Sequence, residues 1–261
     1  MRIALISDIH GNALALEAVL REIAREPVDA IWNLGDIFYG PLWPRRSWEL
    51  LQPLNAVTIR GNQDRDLFEA TPERVVANAT LRFDLAELGR APIDWLRALP
   101  ATQLHGEVYA CHGTPDSDLV YLLEDIASGD AQLRDDAAIT ALLGHRGERV
   151  VVCGHTHTPR ALRLTDGRLV VNPGSVGLPA YDDDLPVAHR MQTRSPQARW
   201  ALIERGERGE RGWSAQLRAT DYDFQAAAAQ AERNGRADWA GWLRTGRASI
   251  PGHVAQSSSE P

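Results

Sequence analysis

The chain opens Met1-Arg2-Ile3-Ala4-Leu5-Ile6-Ser7-Asp8-Ile9-His10, an apolar run that ends on an aspartate and, two residues later, a histidine. So short a run of aliphatic residues predicts a buried strand. The segment after it, Asn12 to Glu26, places Leu14, Leu16, Val19, Leu20 and Ile23 close to helical spacing before Pro27 stops the helix. A strand feeding a helix is a β-α unit, and the pattern recurs. Asp29 to Asn33 predicts a second strand running into Gly35-Asp36, and Ala56 to Ile59 a third running into Gly61-Asn62-Gln63-Asp64. Further along, Val108-Tyr109-Ala110-Cys111 delivers His112-Gly113, and Arg149 to Cys153 delivers Gly154-His155-Thr156-His157. Each polar fragment falls at an expected strand end, and alternation of this kind predicts an α/β fold.

Composition bounds the rest. With 261 residues, 44% hydrophobic and 24% charged, the chain can bury one substantial core, and a single domain over 1–247 is expected ahead of a disordered, Ser-rich tail over 248–261. A net charge of −7 without a basic cluster argues against stable nucleic-acid binding, which needs Lys and Arg to neutralise phosphates. An anionic substrate would have to be drawn by something local. No apolar run approaches the roughly 20 residues of a membrane span. The first run reaches Asp8 before a signal-peptide core could form. Cys111 and Cys153, the only cysteines, each end an apolar run, where a small buried free thiol is favoured over a disulfide. A cytoplasmic location is expected, and the composition is compatible with a homo-oligomer.

Between and beyond the polar fragments, Pro44 to Leu51 predicts a helix, and residues 66 to 99 read as helical with breaks at Pro72, Gly89 and Pro92. Gln103 to His105 forms a hairpin with the strand that delivers His112. Residues 116 to 144 read as helical again. Strands at Arg160 to Leu164 and Arg168 to Val171 are joined through Asp166-Gly167, a tight-turn signal. A glycine-rich loop, Asn172-Pro173-Gly174-Ser175-Val176-Gly177, follows. From Tyr181 to Pro196 no periodicity survives, which predicts an irregular excursion. Strands at Arg199 to Glu204 and Trp213 to Ala219 flank a repeated Gly-Glu-Arg tip, and helices at Phe224 to Asn234 and Ala237 to Leu243 end the pattern.

Asp8, His10, Asp36, Asn62, His112, His155 and His157 offer oxygen and imidazole donors without a thiolate, a set suited to Mn²⁺, Fe, Zn²⁺ or Mg²⁺. Taken singly, each has an ordinary structural use as a loop cap, a core histidine or a turn residue. Their conjunction, in order and at strand ends, is what points to metal. In this order the fragments resemble the calcineurin-like metallophosphoesterase superfamily from Asp8 to His157. The loop Asn172 to Val176 extends the likeness to its compact bacterial and archaeal phosphoesterases.

The resemblance implies a four-layer α/β/β/α sandwich. It implies two divalent metal ions, the first on Asp8, His10 and His157, the second on Asn62, His112 and His155, with Asp36 bridging both. Mn²⁺ is the expected metal, with Fe, Zn²⁺, Mg²⁺ and Ni²⁺ as alternatives. Ions about 3.5–4 Å apart can share a carboxylate and lower the pKa of water to about 7, so that a hydroxide is available for attack on phosphorus. Two such ions outweigh Asp8, Asp36 and a hydroxide, which explains how an acidic protein would hold a small phosphorylated substrate.

Gln63 departs from the pattern, because many members of the superfamily carry His at this position. Glutamine can contact a phosphate oxygen but cannot deliver a proton, a role worth about 10²–10⁴-fold. Phosphodiester or phosphoanhydride substrates, whose leaving groups are already stable as anions, are therefore favoured over alkyl monoesters. Without its usual histidine partner, Asp64 is as consistent with structuring the loop as with catalysis. Arg60 and Arg65 are candidates for substrate phosphate, since guanidinium suits it, or for local salt bridges. His189 is a candidate to reach the site. Phe38, Tyr39 and Trp43 could form an aromatic wall, although hydrophobic covering is the more ordinary use. Thr156 shapes the turn between two ligands. The run Asp182-Asp183-Asp184 is ordinarily just solvated, but beside the site it would repel highly charged substrates or hold a cation. Trp95, Trp200, Trp213 and Trp239 read as core or interface. The rival functions are a phosphoprotein or small-molecule phosphomonoesterase and, from another class, a non-catalytic metal-binding scaffold.

Overall fold

Strand β1 (Arg2–Ile6) is buried on both faces, and this organises the molecule: Ala4 and Ile6 pack against helices, while Ile3 and Leu5 pack against a second sheet. The computed structural model describes residues 1–206 and 212–251. The expected Gly-Glu-Arg tip at 207–211 and, of the expected tail over 248–261, residues 252–261 lie outside the described residues, whereas Ala248 at the start of that tail is buried in an apolar cluster rather than disordered. After β1 come α1 (Ala13–Ile23), β2 (Ala30–Asn33), α2 (Pro44–Leu51), β3 (Val57–Thr58), α3 (Asn62–Phe68), α4 (Pro72–Ala77), α5 (Ala79–Leu88) and α6 (Arg90–Ala98). The hairpin β4 (Thr102–His105) and β5 (Val108–Cys111) follows, then the short ribbon β6 (Glu124–Asp125) and β7 (Gln132–Leu133), and α7 (Asp136–Leu143). The second half holds β8 (Val150–Val152), β9 (Arg160–Arg163), β10 (Leu169–Asn172), β11 (Ala180–Asp183), β12 (His189–Gln192), β13 (Ala198–Arg205) and β14 (Trp213–Thr220), and then α8 (Phe224–Arg233) and α9 (Ala237–Thr245).

Two five-stranded sheets result, ordered β14-β13-β1-β2-β3 and β4-β5-β8-β10-β9. Their facing sides share one core, in which Ile3, Leu5 and Trp32 of the first sheet meet Val108, Val150, Val152 and Val171 of the second. Leu16 and Val19 of α1, with apolar residues of α2, α3, α5 and α6, cover the outer face of the first sheet. Ile139 and Leu143 of α7 cover Tyr109, Cys111, Val151 and Cys153 on the outer face of the second. The layers are therefore α/β/β/α, as the resemblance implies. Both cysteines are buried free thiols.

Strands β1, β2 and β3 are mutually parallel, as are β5 and β8, so their C-terminal ends can gather at one rim. Parallel strands buried on both faces and flanked by helices favour sites at that rim. Trp95, Trp200 and Trp213 belong to the cores, as expected.

Three expectations are corrected. Residues 116 to 144 are not one helical stretch: Thr114 and Ser117 exchange backbone hydrogen bonds in a tight loop, β6 and β7 pair, and the helix waits until Asp135, whose side chain caps α7. The buried Glu124 carboxylate explains part of the irregularity, since it leaves the chain to meet Arg160 on β9 at 3.1 Å. Tyr181 to Pro196 is not irregular throughout, because β11 and β12 pair as an antiparallel ribbon with His189 and Met191 buried on alternate positions. Pro92 does not break a helix; it sits in the first turn of α6, where its missing N–H costs nothing.

Candidate metal centre

Asp8 follows β1, Asp36 follows β2, His112 follows β5, and His155 and His157 follow β8, while Asn62 is the first residue of α3 rather than a strand end. Backbone bonds hold neighbouring turns to one another within each sheet: the Asp8 N–H donates to the Gly35 carbonyl at 2.9 Å in the first, and the Gly154 N–H to that of His112 at 2.8 Å in the second. The glycine-rich loop after β10 braces the same junction. Ser175 Oγ donates to the Asp8 carbonyl at 2.7 Å, and Asn172 Nδ2 donates to the Gly154 carbonyl at 2.7 Å and to Thr156 Oγ1 at 3.0 Å. Thr156 is thus a turn residue, as expected. Of the six described non-glycine residues with positive φ, five are Asp8, His10, Asp36, His155 and His157. Backbone strain concentrated on the donor residues marks a site whose geometry the surroundings impose.

Two clusters emerge, Asp8 with His10 and His157, and Asp36 with His112 and His155, the ligand atoms of each lying within 4.8 Å of one another. Asn62 joins the second, its Oδ1 3.1 Å from His112 Nε2, which is itself 3.2 Å from Asp36 Oδ2 and 4.0 Å from Asp8 Oδ1. The outer nitrogen of each histidine meets a backbone carbonyl. His10, His112 and His157 direct Nδ1 at Tyr39, Leu34 and Leu178 at 2.9, 2.8 and 2.7 Å, whereas His155 directs Nε2 at Leu119 at 3.2 Å. Each outer nitrogen must therefore carry a proton, which in the neutral ring leaves the inner nitrogen as a lone-pair donor.

The inner nitrogens then face the wrong partners for a hydrogen-bond network. His10 Nε2 and His157 Nε2 are 3.0 Å apart, and His157 Nε2 is 3.4 Å from Asp8 Oδ1. Lone pairs converging on lone pairs and carboxylates need cations between them, so the donor set fits divalent metal. The electrostatics of the cluster agree. Burial and the neighbouring His157 hold His10 down at about 4, and burial with His112 holds His155 at about 4, so both rings are neutral and able to offer a lone pair. Burial opposes charge on His112 too, yet Asp36 and Asp8 raise it to about 10, a proton standing where a cation belongs. Burial alone would raise Asp8 and Asp36, but His157 and His112 hold Asp8 down and His112 and His10 hold Asp36 down.

The calcineurin-like phosphoesterase superfamily domain model matches residues 1–193, which contain every one of these donors. The chain belongs to that superfamily. An uncharacterized protein of Methanocaldococcus jannaschii, MJ0912, is 29% identical over 209 residues, covering 68% of this chain and 76% of that protein. The crystal structure of a metallophosphoesterase from Sphaerobacter thermophilus superposes with a TM-score of 0.71 at 25% identity, over 95% of this chain and all of that one. The hypothetical protein PH1004 of Pyrococcus horikoshii shares the fold, with a TM-score of 0.75 at 18% identity over 95% and 99% of the two chains.

As a calcineurin-like phosphoesterase, the protein carries beside its donors a pocket of about 190 Å³ lined by His10, Asp36, Asn62, Gln63, His155 and His157. Gln63 donates its backbone N–H to Asp36 Oδ1 at 2.9 Å, while its buried side-chain Oε1 has no partner. Asp64 is buried away from the pocket and accepts the N–H groups of Asp36, Ile37 and Gly61, each at 2.9 Å, which makes it a clamp on the two loops.

Arg60 and Arg65 do not line this pocket. Arg60 Nη1 donates to the Leu99 carbonyl at 2.5 Å, and Arg65 forms a two-pronged pair with Asp118 at 2.8 and 3.0 Å, so local partners have taken both guanidinium groups. His189 does not reach it either. It is fully buried, with Nδ1 2.7 Å from the Val187 carbonyl and Nε2 2.9 Å from the Tyr121 hydroxyl, so a tyrosine stands between it and the centre. Phe38 packs with Trp48 and Trp95, and Trp43 packs against the C-terminal helices, leaving Tyr39 alone of those three aromatics on the pocket.

The pocket residues that the motifs did not reveal are Tyr121, Leu178, Tyr181, Arg236 and Trp242, together with Trp239, which edges His10 at a ring-centre separation of 5.8 Å. Tyr121 and Tyr181 rest on His155 and His157, each at 4.6 Å between ring centres. No local sequence signal distinguishes these from ordinary core aromatics. Among the described residues no helix is long and apolar enough to cross a membrane.

Proposed function

We propose that this protein is a metal-dependent phosphoesterase with a two-metal centre, favouring phosphodiester or phosphoanhydride bonds in small substrates over alkyl monoesters. The convergence of the inner lone pairs of His10, His157 and His112 on Asp8, Asp36 and Asn62 carries the reading. Asp8, His10 and His157 would hold one divalent ion, Asn62, His112 and His155 the other, and Asp36 both. Bound there, Mn²⁺ or a similar cation would supply a Lewis acid for the phosphoryl oxygen and lower the pKa of water to about 7.

The chain's own residues decide which bonds suit it. Gln63 lines the pocket, where its side-chain amide N–H can donate to a phosphoryl oxygen, but it has no acidic proton to transfer. Burial raises the phenols of Tyr39, Tyr121 and Tyr181, which makes them poor general acids near neutral pH. The leaving oxygen must therefore depart largely unaided, as a phenolate or a phosphoryl group can and an alkoxide cannot. Two buried free thiols suit a cytoplasmic setting.

The test is hydrolysis of an aryl diester, a dinucleoside polyphosphate and an alkyl monoester by metal-stripped protein resupplied with Mn²⁺, beside Asp36→Asn. The expected result is metal-restored turnover of diester or polyphosphate above monoester, lost in the variant. Turnover led by the alkyl monoester would overturn the substrate preference, and none at all despite bound metal would favour a scaffold.

A further inference from the structure

The pocket is electrically divided along its depth. Its floor is the donor set, where two divalent cations would leave excess positive charge after Asp8 and Asp36 are counted. Its outer part is lined by the exposed Asp183 and the partly exposed Asp182 and Arg236, and its walls by Tyr39, Tyr181, Trp239 and Trp242, of which Tyr181 and Trp239 also touch the donor histidines. Arg236 is the one cation among the described lining residues beyond the histidines, and its donors are committed. Nε and Nη2 reach the Asp238 carboxylate at 2.9 and 2.6 Å, and Nη1 reaches Thr80 Oγ1 at 2.6 Å. Neither Asp182 nor Asp183 has an ion-pair partner among the described residues; the one side-chain bond Asp183 makes is to the Leu185 N–H at 2.9 Å. The outer part is thus net negative beside an electron-rich wall.

That wall already accepts a cation. The Arg236 guanidinium lies 5.4 Å from the Trp239 ring centre, and Trp242 stands beside it with ring centres 6.2 Å apart. Gly40 permits the approach, since a methyl group there would meet the Trp239 ring at 2.9 Å. Burial, with crowding by Asp238 and Asp184, raises the Asp182 carboxyl, a strain that a nearby positive ligand relieves.

We infer that this pocket selects phosphodiesters whose distal alcohol carries a positive charge, a quaternary or protonated amine, and rejects substrates carrying a second anionic group. The phosphoryl group would sit on the floor, and the amine would lie against Tyr181, Trp239 and Trp242 with Asp182 and Asp183 as counter-charges, an arrangement typical of quaternary ammonium recognition. A second phosphate in that position would face two carboxylates and an arginine already paired. This rests on the phosphoesterase reading, and within it narrows the choice from anhydrides to diesters.

The test uses three p-nitrophenyl phosphodiesters that share the leaving group and the reacting phosphorus and differ in the second alcohol: choline, its neutral isostere 3,3-dimethylbutanol, and an alcohol bearing a carboxylate. In each, water oxygen bonds to phosphorus, the bond to p-nitrophenolate breaks, and the water protons pass to solvent. The full-length, metal-loaded protein should give kcat/KM in the order choline, neutral, carboxylate. Each step should be up to roughly fivefold, the upper range for partly exposed charge pairs.

In Asp182→Asn/Asp183→Asn the choline-to-carboxylate ratio should collapse toward one. Calorimetric binding of the uncleaved methylphosphonate esters of the same alcohols supplies a readout independent of turnover and should rank them alike. Equal rates and affinities for all three, or a ratio unchanged in the double variant, would overturn the inference. Failure of the protein to cleave any of them would instead overturn the phosphoesterase reading.

Discussion

Gly61→Ala tests how closely the donor geometry depends on backbone contact. A methyl group at Gly61 would lie 2.6 Å from the Asp36 backbone nitrogen and 2.8 Å from its Cγ, where ordinary contact begins at 3.4 Å. The carboxylate carbon must therefore move by about 0.6 Å, and the backbone beside it by about 0.8 Å. It has little freedom to do so, because Asp64 clamps the Asp36, Ile37 and Gly61 N–H groups and Gln63 bonds Asp36 Oδ1. Ligand distances tolerate about ±0.2 Å. A misplacement near 1 Å costs on the order of 10²-fold in rate.

The expected result is a loss of about tenfold to a hundredfold in kcat/KM and a weakened second metal, with overpacking costing about 1–3 kcal/mol of stability. Metal stoichiometry after dialysis, circular dichroism and steady-state kinetics measure these together. Gly147→Ala is the control, since its methyl group would meet open space. A Gly61→Ala protein with two tightly held metals and turnover within threefold of wild type would refute the claim that Asp36 is held to one position.

Other consequences can be checked in parallel. Gln63→His should raise alkyl monoester turnover at least tenfold, toward the range of an added general acid; unchanged monoester rates would show that proton delivery is not what Gln63 lacks. Asp64→Asn turns an amide N–H against backbone N–H donors and should cost about 1–3 kcal/mol in urea unfolding, whereas a loss of rate without loss of stability would give Asp64 a chemical role. His189→Ala should lower the melting temperature yet keep the full metal complement; loss of one metal would place His189 among the ligands. Burial pushes Asp84 well above the ordinary carboxylate range, against its bond from the Gly40 N–H and the charge of Arg236. Its folded state therefore holds the proton more tightly, so its contribution is greatest below about pH 4 and is lost as pH rises through the folded value. Asp84→Asn should gain in stability relative to wild type between pH 4 and 8, and a pH-independent difference would contradict the shift.

The donor fragments were legible because each ends a short apolar run and because few structural uses would place aspartate, asparagine and histidine at so many strand ends. The four layers came from the family resemblance that these fragments carry, with the alternating pattern and the late strands in support. Asn62 was found while its setting was not, since Asn62-Gln63-Asp64 reads equally as a loop and as the first turn of α3. Residues 116 to 144 misled because helical spacing there is a by-product: Tyr121, Leu122, Leu123 and Ile126 are buried by contacts made from loop and ribbon. The pocket wall was illegible for a different reason. Apart from Tyr39, which its place after Asp36 had suggested, Tyr121, Tyr181, Arg236 and Trp239 meet only through the tertiary fold, and a tryptophan at helical spacing looks the same whether it faces a core or a substrate.

The central claim is that the two clusters bind a pair of divalent cations. Anomalous scattering from crystals grown with Mn²⁺ tests it most directly. The account predicts two peaks about 3.5–4 Å apart, one contacting Asp8, His10 and His157, the other Asn62, His112 and His155, with Asp36 touching both. A single peak, or manganese bound away from these residues, would contradict it.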